Sequence, residues 1–275
     1  MYSKNKKGIA EWTGLFPDEF KTEKQSFVFV KRMMSLAVSS ITYLRGIFPE
    51  NAYKSRYIED LCIKVLRDDG SSPGADKIVK WMMGCFDALE RRYLHIVFIG
   101  VHTNPDHLDR IIESYIFKFR YTEQGPEMDI LRNKNTKLQV TMEDTKKASV
   151  LLIRKLFLLT ENLGTLPNDV CLSMRLYYYD DITPADYEPP GFKEGTCDQL
   201  WFEGMAVYLK VGEVQTPFNN VRVCVAIEKG RSEKLRANCQ SKSEPGSVES
   251  QSVLPQIARI QVRSKQTNKG LLFLS

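Results

Sequence analysis

No two of the six cysteines (Cys62, Cys85, Cys171, Cys197, Cys224, Cys239) form a C-x-x-C pair, and their wide scatter offers neither a disulfide framework nor a zinc site. Histidine is scarce, with only His95, His102 and His107. His102 and His107 flank a turn with Asp106 and Asp109, and Asp180-Asp181 stands near Asp186 and Glu188. Without a thiolate or a ligand-spaced partner, both groups read as solvated loops rather than metal sites. The phosphate-cradling G-x-x-x-x-G-K-[ST] and G-x-G-x-x-G patterns are missing, as is G-x-S-x-G. No Ser/His/Asp or Cys/His pairing is legible. No apolar run approaches the length of a membrane span; Ala148 to Leu163 is interrupted by Arg154-Lys155. The basic start, MYSKNKKGIAEW, is not followed by a signal-type apolar stretch, so the chain is read as intracellular.

An even spread of charge is also lacking. Of 39 Lys/Arg and 34 Asp/Glu, nine and four lie between Glu228 and Ser275, which leaves thirty of each sign in residues 1–227. The whole excess of +5 therefore sits in the tail. A neutral body argues against a globular DNA-binding face, and the basic tail allows at most weak, salt-sensitive contact with nucleic acid.

What is present is a succession of amphipathic elements. Residues 1–20 form a polar leader with Trp12 and Phe16. Thr22, with Gln25 in capping-box position, opens a long helix whose stripe runs Phe27, Val30, Met34, Ala37, Ile41, Leu44, Phe48 up to Pro49. Leu61 to Leu66 is a short strand or a helical turn; its pattern fits both. Asp76 to Arg92 reads as a second helix. Leu94 to Val101 (LHIVFIGV) reads as a strand buried on both faces, and Glu113 to Thr122 as an alternating strand paired with it in a hairpin. Residues 123–140 are a polar loop.

The informative stretch is Thr141 to Phe192. Thr141 and Asp144 cap a helix carrying Ala148, Leu152, Leu156, Leu159 and Leu163, stopped by Gly164 and Pro167. Val170 to Tyr179 then alternates as a strand, with Val170, Leu172, Met174, Leu176 and Tyr178 on one face. Beyond Asp180-Asp181, the run Tyr187-Glu188-Pro189-Pro190-Gly191-Phe192 cannot sit in a central strand, so the chain leaves the sheet here. Residues 200–202, 207–211 and 221–227 are short strand candidates with edge-like punctuation. From Gly230 the composition is that of a disordered tail. Three helices on one face of an antiparallel sheet make an α+β domain.

With Lys31-Arg32, ITYLRGIFPE from Ile41 to Glu50 and ASVLLIRK from Ala148 to Lys155, this stretch resembles the meiotic HORMA-domain proteins of the chromosome axis over roughly residues 20 to 227. The resemblance implies the HORMA fold: a leader at 1–20, the domain at 21–227 with residues 180–227 as its safety belt, and a disordered basic tail at 228–275. It also implies a non-enzymatic adaptor that closes the belt over a short closure-motif peptide from a partner or from its own kin. An extended peptide held this way pairs its backbone with a sheet strand, and the closed belt slows its release.

In the family, the strand matching Tyr115, Phe117, Phe119 and Tyr121 lies beside the trapped peptide. The belt residues are taken as Tyr187, Pro189, Pro190, Gly191, Phe192, Trp201 and Phe202. No cofactor and no metal are implied. The expected partners are closure-motif peptides of axis proteins or of its own family and an AAA+ remodelling ATPase, with chromatin association mainly indirect and no membrane. The expected location is the nucleus, on the meiotic chromosome axis, in double-strand-break formation, homologue pairing, synapsis and surveillance. Family tails carry a closure motif near the C-terminus. Here Lys242-Ser243-Glu244-Pro245 echoes its Ser-Glu-Pro without the basic cluster expected before it, and NKGLLFLS at the end does not match. The rival readings are a checkpoint or DNA-repair HORMA adaptor with a different client and, more distantly, a hydrolase whose triad is assembled in space.

Overall fold

A computed structural model describes Phe16, residues 19–122 except 59, 105 and 108, residues 140–231 except 168, 169, 196–199 and 203, and the backbone of residues 264–267 and 272–273. The first helix, α1 (Glu23–Leu44), begins on the expected capping box: Thr22 accepts from the Gln25 backbone, and the Gln25 side chain accepts from the Thr22 backbone. It stops at Leu44 rather than running to Phe48, because the next turn passes through Gly46 in the left-handed region at φ 66°. Phe27, Val30, Met34, Ala37 and Ile41 are buried as the stripe requires. By length and composition alone α1 would pass as a membrane span, contrary to the sequence reading. Most of its apolar residues are instead buried in the core, beneath the sheet. Phe20, assigned to the leader, is buried too, edge-on to Phe29.

Leu61–Leu66 resolves as a strand, β2, paired antiparallel with β1 (Tyr53–Ile58), which the sequence pattern did not signal. The second helix, α2, runs Pro73–Glu90, starting earlier than expected because Pro73 takes a first-turn position that needs no backbone donor. The sheet strands are β3 (Leu94–His102), β5 (Glu113–Tyr121), β6 (Cys171–Tyr178), β7 (Phe192–Glu194), β9 (Ala206–Gln215), β10 (Asn219–Glu228), β11 (Ser264–Thr267) and β12 (Leu272–Phe273). Two short strands, β4 (Arg110–Ile111) and β8 (Trp201–Phe202), pair in parallel apart from it. The third helix, α3 (Met142–Asn162), carries the Thr141/Asp144 capping box.

The main sheet has the order β7-β11-β6-β3-β5-β10-β9, with β12 also on β6. One face carries Val97, Ile99, Phe117, Phe119, Leu172, Met174, Val223 and Val225 into the core that the three described helices cover. A second cluster of Ile96, Phe98, Ile111, Ile116, Tyr177 and Leu200 lies on the opposite face. This explains why β3 carries apolar residues on both faces. The α+β plan with helices on one face is the one the sequence implied. The last strands, however, are not short: β9 and β10 have ten residues each, and β10 lies inside the sheet between β5 and β9. The loop at 123–139 and most of the 1–20 leader lie outside the described residues.

Candidate functional site: a belt closed over the β6 edge

β6 offers the edge on which the site is built. One side pairs with β3, from Leu94↔Tyr178 to His102↔Cys171. The other side carries the chain's own C-terminal segment, with Ser264 opposite Tyr177, Lys265 opposite Leu176 and Gln266 opposite Arg175. Farther along, Leu272 faces Leu172 and Phe273 faces Cys171. The outer side of β11 is paired in turn by β7: Lys265↔Glu194, Gln266↔Lys193 and Thr267↔Phe192. The composition of residues 228–275 implied a disordered end. That reading does not hold at 264–267 and 272–273, where backbone pairing, which tolerates most side chains, overrides composition. Lys242 to Pro245 and the final Ser275 lie outside the described residues.

The segment leaving β6 wraps this edge from one face of the sheet to the other. On the helix face, the Tyr187 hydroxyl donates to Asp87 Oδ2 at 2.6 Å, and its ring meets Tyr93 and Tyr178 edge-on with centroids 5.0 and 5.6 Å apart. The Arg91 guanidinium lies 5.8 Å above the same ring. Burial pushes the Tyr187 hydroxyl pKa up, and the hydrogen bond to Asp87 adds to the rise, so Tyr187 stays a neutral donor. Pro189 and Phe192 are buried, Pro190 is exposed, and Gly191 turns the chain at φ 81°, a conformation that glycine adopts freely. Phe192 seats against Gly84 of α2, where an added Cβ would lie 2.7 Å from the ring and closer still to the Pro190 carbonyl oxygen. Gly84 is therefore where helix and belt meet backbone to side chain. After β7 the chain reaches the opposite face, where Leu200 is buried against Ile96, Phe98 and Ile116. The Trp201 amide donates to the Asp109 carbonyl at 2.7 Å, while its ring is exposed; Phe202 packs edge-on to Tyr208.

The residues expected at the site divide accordingly. Tyr187, Pro189, Pro190, Gly191 and Phe192 fall together on the α2 side of the slot. Trp201 and Phe202 lie on the far face beside β4. Tyr115, Phe117, Phe119 and Tyr121 do not border it. β5 is paired by β3 on one side and β10 on the other, so it has no free edge. Tyr115, Phe117 and Phe119 are buried in the helix-facing core, and Tyr121 donates its hydroxyl to the Leu94 carbonyl. The strand beside the enclosed segment is β6, because the belt's own β10 has taken the edge of β5. Gly84 and Asp87 were missed; an isolated glycine inside a helical stripe was the available signal.

Ser173 Oγ lies 2.7 Å from His102 Nε2, but both residues are buried, and Nδ1 of the same ring faces the Arg110 carbonyl rather than a carboxylate. His102 is thereby held inside the sheet, away from His107 in the turn. Cys85 is fully enclosed, and burial drives its thiol pKa upward, the state of an inert core thiol.

An antiparallel sheet backed by helices, with a segment that rounds one edge over an added strand, defines a domain that holds an extended segment by enclosing it. The HORMA domain family model matches residues 26–219. HORMA domain-containing protein 1 of Rattus norvegicus is 54% identical over 222 residues, covering 80% of this chain and 57% of the relative; the Homo sapiens protein is 54% identical over 222 residues, covering 80% and 56%. The chain belongs to the HORMA-domain family. It spans little more than half the length of these relatives. Among solved structures, C. elegans HTP-2 bound to HTP-3 closure motif 1 matches with TM-score 0.70 and 21% identity, over 83% of this chain and 97% of that one. C. elegans HTP-1 bound to the HIM-3 closure motif matches at 0.67 and 19%, over 78% and 95%. A chain of the mitotic checkpoint complex matches at 0.54 and 16%, over 75% and 97%. At these identities the likeness is one of fold.

Proposed function

We propose that this protein is a non-enzymatic adaptor of meiotic chromosomes that traps an extended closure-motif peptide between β6 and β7, under the belt of residues 180–227. The observation that carries the reading is β11: an added strand paired on both sides, by the sheet and by the belt that rounds it. Such a strand cannot slide out along a free edge, so release needs belt opening, and affinity is expressed as slow dissociation. The slot accepts the chain's own residues 264–267, so the same sheet edge can take a segment of another copy or of an axis partner, in exchange for its own tail. HTP-2 bound to an HTP-3 closure motif and HTP-1 bound to the HIM-3 closure motif support a peptide client.

Within this reading the adaptor acts in the nucleus on the chromosome axis, in double-strand-break formation, homologue pairing, synapsis and its surveillance. An AAA+ ATPase supplies the work of reopening the belt. Chromatin is reached mainly through partners, since residues 1–227 are electrically neutral. A checkpoint or DNA-repair adaptor would use the same belt on a different client, and the mitotic checkpoint likeness keeps that reading in view. Pull-downs with axis-derived against checkpoint-derived peptides separate the two.

Gln266→Pro tests the slot. Gln266 is paired on both sides, and proline in a strand so placed removes a ladder donor and cannot be accommodated. The wild-type chain should take up a labelled peptide of residues 258–275 slowly, at the rate its own tail leaves, and the variant at once. Equal, fast uptake by both, or none by either, would refute the slot as a peptide site.

A further inference from the structure

The belt's last two strands form a hairpin, β9–β10, and each end of it is tied to the domain by polar side chains of different kinds. At the turn, Ser26 of α1 lies 2.6 Å from Thr216 Oγ1 and accepts from Asn219 Nδ2 at 2.7 Å, while the Thr145 hydroxyl of α3 donates to the Gln215 carbonyl at 2.7 Å. All three residues, Ser26, Thr216 and Asn219, are buried, and the tie is neutral. At about 3.4 Å per residue, the other end of β10 lies some 30 Å away and needs a tie of its own.

That tie is Arg231. Its Nη2 donates to Glu113 Oε1 at 3.1 Å, to the Gly164 carbonyl at 3.1 Å and to the Thr165 carbonyl at 3.2 Å. Glu113, fully buried at the start of β5, is already forked by Arg45, with Nε and Nη2 at 3.1 and 2.6 Å, and also accepts from the Tyr115 hydroxyl at 3.0 Å. Arg45 ends α1, so the Arg45–Glu113 pair joins two elements that do not belong to the belt. Removing Arg231 therefore orphans no buried carboxylate. What it removes is a second, charge-assisted contact that exists only while β10 lies on β5. The acceptors of this guanidinium are on β5 and on the connection from α3 to β6, and its backbone amide is fixed by Glu228 Oε2 at 3.2 Å.

We infer that Arg231 is a positioning residue that latches the C-terminal end of the belt onto Glu113 and thereby sets how long the segment on β6 is held. The inference rests on the peptide-trapping reading above. Without Arg231 the far end is held by backbone bonds alone, the β10–β5 ladder and the Glu228 amide donating to the Ile112 carbonyl, and could lift more readily and loosen β7 through the chain between them. With both ends tied, opening requires breaking a neutral and an ionic lock together.

The test uses the full chain and a fluorescein-labelled peptide of residues 258–275, with uptake and release followed by anisotropy and folding by thermal melting. Arg231→Ala should exchange peptide about tenfold faster, with the melting transition nearly unchanged because the Arg45–Glu113 pair persists. Arg231→Lys keeps the charge as a single-point donor and should recover part of the slow exchange. Arg45→Ala serves as the contrast: it leaves Glu113 without its principal partner and should lower the melting temperature. If Arg231→Ala exchanges at the wild-type rate, the latch is refuted while the trap stands. If exchange speeds up while the melting temperature falls with it, and Lys restores neither, Arg231 is a structural residue and no latch. If the wild-type chain takes up no peptide at all, the trap is refuted and the latch with it.

Discussion

Gly84→Ala separates the belt from the domain beneath it, because two effects of known sign act on different observables. Within α2, replacing glycine by alanine favours the helix by about 1 kcal/mol. At this position the new Cβ would stand 2.7 Å from the Phe192 ring and nearer still to the Pro190 carbonyl oxygen, well inside ordinary contact. Helix and sheet are fixed by the core, so the belt must give. Phe192, 2% exposed, then leaves its seat, and a buried phenylalanine is worth about 1.5–3 kcal/mol. The Tyr187–Asp87 hydrogen bond, five residues before it in the belt, is strained with it, for about 1 kcal/mol more. The belt thus loses roughly 2.5–4 kcal/mol, which at about 1.4 kcal/mol per tenfold is roughly a sixtyfold or greater rise in peptide dissociation rate. The melting temperature should hold or rise slightly. Release of labelled peptide after dilution, beside a melting curve on the same sample, reads both. A more stable protein with an unchanged residence time would refute the claim that Gly84 is the seat of the belt.

Two further outcomes follow from the core and from a shifted titration. Ile41→Asp places an unpaired charge at a site 4% exposed and should cost upwards of about 4 kcal/mol, enough to abolish a cooperative melt; an unchanged transition would mean α1 is misplaced. His95 has its pKa lowered by burial, with Lys118 and Arg120 adding to the effect, so the unfolded chain binds its proton more readily than the folded one. Its contribution is present above the unfolded value near 6.5 and is lost as pH falls through the lower folded value. Denaturant titrations across that window should show a shallower loss for His95→Gln than for the wild type.

Much of this molecule is written locally. The Thr22/Gln25 and Thr141/Asp144 capping boxes and the alternation through Met174 and Leu176 are short-range patterns, and helix and strand follow from them directly. The departure at Pro189-Pro190-Gly191 is equally local, because proline cannot donate within a sheet. Pairing is not local. Whether β5 or β6 keeps a bare edge depends on where β10 docks, and β10 lies about a hundred residues from β5 in the chain. Tyr115 to Tyr121 alternates as any half-buried strand does, and nothing in that pattern says that both its edges are filled.

The composition of residues 228–275 reports how little apolar surface they can bury, which is why they read as unstructured. Backbone amides and carbonyls are the same in every sequence, so a strand of Ser264 to Thr267 can be recruited by an edge and a belt that composition does not reveal. Gly84 and Arg231 are of the same kind. A glycine in a helix and an arginine after a strand acquire meaning only once the fold sets Phe192 against the one and Glu113 against the other. The sequence determined the elements and the place where the chain breaks from the sheet. Only the tertiary structure decided which edge the belt encloses, because edges and close approaches are properties of distant segments brought together.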